Sequence, residues 1–174
     1  MKRLILYIAC GALCLGQLVF AQDIATQFDQ SMDFSGLHTY KWISFENDPN
    51  LNPITASNIR TLINQALMQK GYVEVAGNAT PDFLVGYQTS VSKEQQLNWY
   101  NDGGPWMGGF GSATTSTISV GTLDVDIYYP ATKRLIWRGS ATKTIDPSSN
   151  AEKNYNNLRK AVDKLLKNFP PKRK

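Results

Sequence analysis

The stretch Thr114–Tyr129 limits the possible folds of this chain more than any other. It is β-rich throughout, and Leu123, Val125 and Ile127 alternate with Asp124 and Asp126. A period of two with carboxylates on the alternate positions describes a strand with one dry face and one wet face. Antiparallel sheets tolerate that arrangement, whereas sheets covered on both sides do not. Ile118 and Val120 carry the apolar signal in the other phase, so a bulge or kink is expected at Gly121-Thr122. Pro130-Ala131-Thr132-Lys133 makes a turn, and Leu135–Thr144 pairs back as a hairpin.

A sheet with one dry face needs a cover, and two segments have the spacing to supply it. In the first, Asn52 suits an N-cap and Pro53 the first helical position, where its missing N–H costs nothing. Ile59, Leu62, Ile63, Ala66 and Leu67 then form one apolar stripe. Gly71 closes the helix, with Tyr72 placed to pack back on Leu67. The second helix is predicted from Asn150 to Asn168. Tyr155, Leu158, Val162, Leu165, Leu166 and Phe169 share a face, and Pro170-Pro171 stops it.

Further strands are expected at Thr39–Ser44, at Tyr72–Val75, and from Phe83 to about Ser92, with loops over Asn47–Asn52 and Asn98–Ser112. The fold class is therefore α+β: a two-layer sandwich of a mainly antiparallel sheet with two amphipathic helices on one face. No internal repeat and no second core is visible.

The first residues read as an export signal. Lys2 and Arg3 are followed by an uncharged apolar run from Leu4 to Phe20, ending Val19-Phe20-Ala21. Residues 1–21 are read as a signal peptide, cleaved between Ala21 and Gln22. A membrane anchor needs about 20 apolar residues, and Gly11, Gly16 and Gln17 weaken this run. Both cysteines, Cys10 and Cys14, lie inside the signal, so the mature part has no thiol. Neither fits a lipidation site: Tyr7 stands three before Cys10, and the bulky Leu13 immediately precedes Cys14.

About 150 residues remain, enough for one domain with its own core. Residues 22–32 read as a linker, 33–171 as a single α+β domain and 172–174 as a basic tail. Without Lys2 and Arg3, 16 basic residues face 14 acidic ones, a charge of +2. That is too weak to point to nucleic acid.

Several blocks together resemble a known family. They are Asp33-Phe34-Ser35, Tyr40-Lys41-Trp42, Lys70-Gly71-Tyr72 and Pro81-Asp82-Phe83-Leu84-Val85. With them go Gly121-Thr122-Leu123-Asp124-Val125-Asp126-Ile127, Leu135-Ile136-Trp137-Arg138-Gly139-Ser140-Ala141, and Ala161-Val162 through Phe169-Pro170-Pro171. In order and spacing the chain resembles the domain-of-unknown-function 4136 family, bacterial envelope proteins often described as lipoproteins. The resemblance implies an exported α+β domain and carries over no catalytic residue. This sequence departs from the lipoprotein start frequent in that family, so the resemblance stops short of membrane tethering.

Among candidate sites, Asp124 and Asp126 sit about 6.6–6.8 Å apart along one strand face. That spacing suits paired acid/base chemistry or an oxygen-ligand cation. The pattern favours two solvated side chains, with Arg138 across the hairpin as a charge partner. His38 is the sole histidine, with no nucleophile elbow elsewhere, and reads as a surface residue. Trp42 and Trp137 read as core plugs. The glycine-rich segment 99–111 lacks the spacing of a nucleotide loop. Its Trp99, Tyr100, Trp106, Met107 and Phe110 either fold back over the sheet or contact a partner, ligand or lipid surface. Lys172, Arg173 and Lys174 read as a solvated end that could touch anionic head groups.

No residue set calls for a catalytic site, a metal or a cofactor. The expected function is a non-enzymatic binding or structural module of the cell envelope, periplasmic or peripheral to the outer membrane. Its partner would be an envelope protein or glycan. The alternatives are an envelope glycan hydrolase using Asp124 and Asp126, and a lipoprotein accessory subunit of a transport or assembly complex.

Overall fold

The structure is a computed structural model that describes residues 23–43, 51–100, 112–146 and 150–172, and the side chains of all of these except 96–100 and 112–114. Residues 1–22, with the expected signal peptide and its expected cleavage site, lie outside the described residues. In chain order the elements are β1 (Asp23–Phe28), β2 (Thr39–Trp42), α1 (Pro53–Gln69), β3 (Val73–Glu74), β4 (Phe83–Tyr100), β5 (Ser112–Tyr129), β6 (Arg134–Thr144) and α2 (Ala151–Leu166). The strands form one six-stranded sheet in the order β1-β6-β5-β4-β2-β3. Pairing is antiparallel except where β2 meets β3 and β4. The α+β sandwich expected from the sequence is present.

Local chemistry sets both helices. The Asn52 side chain accepts from the Ile54 N–H at 2.8 Å, with Pro53 opening α1. At its end Gly71 has φ +88°, and the Tyr72 N–H reaches the Leu67 carbonyl at 3.1 Å. That pair of features is a Schellman closure, and the left-handed residue is a glycine for steric reasons. Asn150 caps α2 by accepting from the Lys153 N–H at 2.8 Å. The regular helix stops at Leu166, two residues before the predicted end.

Three expectations are corrected. Residues 22–32 read as a linker in the sequence, but Asp23–Phe28 form β1, in register with β6 from Asp23↔Thr142 to Phe28↔Trp137. Within β1 Ile24 packs against the core and Phe28 sets its ring edge-on to the core residue Phe34 at 6.3 Å, so its hydrophobic signature is slight and the ladder to β6 does the rest. The bulge predicted at Gly121-Thr122 is absent there, since both ladders run through those residues without a shift. It lies between Ile127 and Tyr128, where β6 has one extra residue, Ile136. Two consecutive residues, Ile136 and Trp137, thereby become buried in the core. The third correction is length: β4 runs to Tyr100, so Asn98, Trp99 and Tyr100 belong to a strand and not a loop.

The core lies between the helices and the sheet, and Phe169 is its hub. Its ring centroid is 5.2 Å from that of Trp137, 5.5 Å from Tyr72, 5.6 Å from Phe83 and 6.1 Å from Phe34. Four aromatic contacts on one side chain tie the end of α2 to β6, β4 and the α1–β3 corner. Trp137 is a core residue as expected. Trp42 is only partly buried and sits at the rim.

Candidate functional site

The alternation that sends Leu123, Val125 and Ile127 into the core sends Asp124 and Asp126 to the face away from the helices. There the reading of two solvated carboxylates is corrected for Asp126, which is 0% exposed. Register places it opposite Gly86 on β4 and Arg138 on β6. The guanidinium grips it in a bidentate fork, Nε to Oδ1 at 2.6 Å and Nη2 to Oδ2 at 2.7 Å. Gln88 Nε2 at 3.1 Å and Tyr128 Oη at 3.0 Å also donate to Oδ2. A carboxylate can be buried only when its lone pairs are met in this way. The hydrogen bond to Asp126 holds Arg138 charged, above the usual range of an arginine. Burial, then the Asp126 charge, pushes the Tyr128 hydroxyl up to about 12.

Asp124 is partly exposed and accepts from the Ser140 hydroxyl at 2.5 Å. The two aspartates thus have separate hydrogen-bond partners. A glycan-hydrolysing pair needs both carboxyls in contact with the substrate and its water. Asp126, closed over by three side chains, has no surface to offer.

The second location is the β4–β5 hairpin, in which seventeen residue pairs run from Leu84↔Tyr128 to Tyr100↔Ser112. β6 covers β5 only as far as Val120, and β2 covers β4 only over Phe83–Val85. From Lys93↔Ser119 outward the hairpin is therefore a two-stranded arm among the described residues, met at its base by the Ile145 N–H on the Ser119 carbonyl. Of the predicted contact residues, Trp99 and Tyr100 lie at its end as strand residues. Trp106, Met107 and Phe110 lie outside the described residues, in the segment joining the two strands.

Sequence reasoning missed a third location, a cleft of about 420 Å³ lined by Lys41, Trp42, Arg60, Glu74, Val75 and Ala76. The Arg60 guanidinium stands 4.9 Å from the Trp42 ring centroid and binds Glu74 at 3.3 Å. Asn64 is the hinge of this cluster. Its Oδ1 accepts from Tyr40 Oη at 3.0 Å and Trp42 Nε1 at 2.9 Å, while its Nδ2 donates to Glu74 Oε2 at 3.0 Å. Arg60 and Asn64 are four apart on α1, beside the apolar stripe, and that spacing was the one available signal. All the side-chain bonds named here are internal, and they tie α1 to β2 and β3.

His38 is exposed, and its N–H donates to Asp82 Oδ2 at 3.0 Å. Thr39 adds its N–H and hydroxyl to the same oxygen, both at 2.8 Å. These bonds, led by that from His38, hold the Asp82 carboxyl below its ordinary value of 3.8. Among the described residues no group of three or more His, Cys, Asp or Glu could hold a metal. No described helix is long and apolar enough to cross a membrane.

No curated protein matches the sequence. Similar folds occur among solved structures at identities that establish the fold alone. A PDZ domain protein from Parabacteroides distasonis superposes with a TM-score of 0.58 at 14% identity over 88% of this chain. This chain spans 37% of the length of that protein. PelC from Paraburkholderia phytofirmans, solved as a dodecamer, gives 0.52 at 9% identity, covering 88% of this chain and 100% of PelC. A DUF4136 family protein from Bacteroides thetaiotaomicron gives 0.50 at 13% identity, covering 86% of this chain and 96% of the other. The sequence itself matches the family described as "Domain of unknown function (DUF4136)" over residues 24–171, and with that match, and the fold it shares with a solved member, the chain belongs to the DUF4136 family.

Proposed function

We propose that this protein is a non-enzymatic binding or structural module of the bacterial cell envelope, exported by residues 1–21 and engaging its partner through the end of the β4–β5 arm. The arm is the observation that carries the reading. It leaves the sheet as two strands and ends in the segment 101–111, rich in glycine and aromatic residues. Trp106, Met107 and Phe110 stand among glycines in that segment, a composition suited to contact with a partner. On the sheet face Asp126 already meets Arg138, Gln88 and Tyr128, which supports a reading without it as a free acid.

The test uses two variants of the mature chain as bait in envelope extract. Trp106→Ser with Phe110→Ser should lose the partners that wild type retains, and Asp124→Asn should keep them. Loss with Asp124→Asn and retention with the arm variant would move the contact to the sheet face. Mass spectrometry of the mature N-terminus should find Gln22. An acylated cysteine would instead favour a membrane-tethered accessory subunit.

A further inference from the structure

We infer that the free edge of β5 in the arm pairs with the free edge of β4 in a second copy of this chain, so that arms of successive copies form one continuous antiparallel sheet. This goes beyond the proposed function: it concerns the backbone of the arm, whatever its tip touches.

The arm is short of partners as it stands. Of the eight residue pairs from Lys93↔Ser119 to Tyr100↔Ser112, the first is met by Ile145 on the β5 side, and the other seven have no third strand among the described residues. Isolated two-stranded ribbons are marginal in water, and a third strand is the usual remedy.

Backbone hydrogen bonds fix which groups point outward. The Ile145 N–H donates to the Ser119 carbonyl at 2.7 Å, so the main-chain groups of Ser119 face away from β4. Strand alternation gives Thr117 and Thr115 the same direction. On the other edge the Val85 carbonyl accepts from the Ile43 N–H at 2.9 Å, and by the same alternation Lys93, Gln95 and Leu97 face away from β5. Each edge therefore presents N–H and C=O groups at every second residue.

These edges are also poorly guarded. Proteins block exposed edges with charges, prolines or bulges. The stretch Ser112–Ser119 has no charged residue and no proline, and its register to β4 is unbroken. On β4 the only charges in the arm are Lys93 and Glu94, adjacent and opposite in sign. An uncharged edge facing one with balanced charges meets no repulsion. Head-to-tail pairing of β5 to β4 satisfies both edges of every arm, whereas a two-fold pairing of like edges leaves one edge of each arm open. A head-to-tail contact of this kind closes into a ring or grows.

The experiment is sedimentation velocity on residues 22–174 at tens of micromolar, with two edge variants. Thr115→Pro and Gln95→Pro each remove an N–H that faces away from the hairpin, leaving its own ladder intact. Wild type should sediment as an assembly of more than two copies. Each variant alone should be monomeric with an unchanged far-UV spectrum, and Thr115→Val should behave as wild type. Mixing the two proline variants should give a one-to-one dimer, because one retains the β4 edge and the other the β5 edge. Hydrogen exchange supplies a readout without mutation: the Thr115 and Thr117 amides should be protected in wild type. Three results would each overturn the inference: a monomeric wild type with those amides exchanging freely, an assembly that stops at two copies, or one indifferent to both prolines.

Discussion

Asp126 shows how a residue can be placed correctly on a face and still be misread. Alternation put it opposite Val125, and the cross-strand partner Arg138 was legible from the hairpin. Its burial was not legible, because Gln88 and Tyr128 are ordinary polar residues until the register brings them together. Removing one partner should leave an uncompensated charge in a closed site. Arg138→Met should therefore cost about 3–5 kcal/mol in urea unfolding, and Asp126→Leu with Arg138→Met much less. Equal losses for single and double variants would mean that the pair contributes packing alone.

Asp82 acts at the same scale through protons. Its acidity is raised in the folded state, so its contribution is fully present above its ordinary value of 3.8 and fades as pH falls through the lower folded value. Asp82→Asn should weaken the domain by roughly 1–3 kcal/mol at neutral pH. The gap from wild type should shrink in acid below pH about 3. A gap that persists there would assign the effect to something other than the carboxylate.

At the scale of elements, both helices were legible because each has an asparagine cap and an apolar stripe. β1 was not, because an edge strand with no fully buried side chain has almost no pattern; its information lies in β6. The same holds for the bulge. Sequence shows a phase change near Gly121, and the ladder passes through it, since Val120 lies outside the core cluster while Leu123 lies within it. Gly139 marks the contact between β6 and α2. A methyl group there would fall 2.5 Å from Trp137 Cη2 and 2.6 Å from Leu165 Cδ2. Gly139→Ala should lower stability by about 1–3 kcal/mol without changing the denaturant slope. A neutral result would mean that α2 can lift from the sheet at little cost.

For the whole molecule, the sandwich follows from two amphipathic helices and one strongly alternating hairpin, and so its class was readable. The arm was legible on one side only: Thr114–Ser119 belongs to the β-rich stretch, whereas the strand reading of β4 stopped near Ser92, and its extension to Tyr100 is defined by pairing with β5. The proposed function rests on the same geometry: a buried Asp126 with all its partners on the sheet face, and an arm that runs past β2 and β6.

Photo-crosslinking in the envelope tests that division most directly. A photoreactive residue placed singly at Thr115 on the arm, or at Ser90 on the sheet face, reports which surface is occupied. The account predicts adducts from Thr115 and none from Ser90; adducts from Ser90 alone would contradict it.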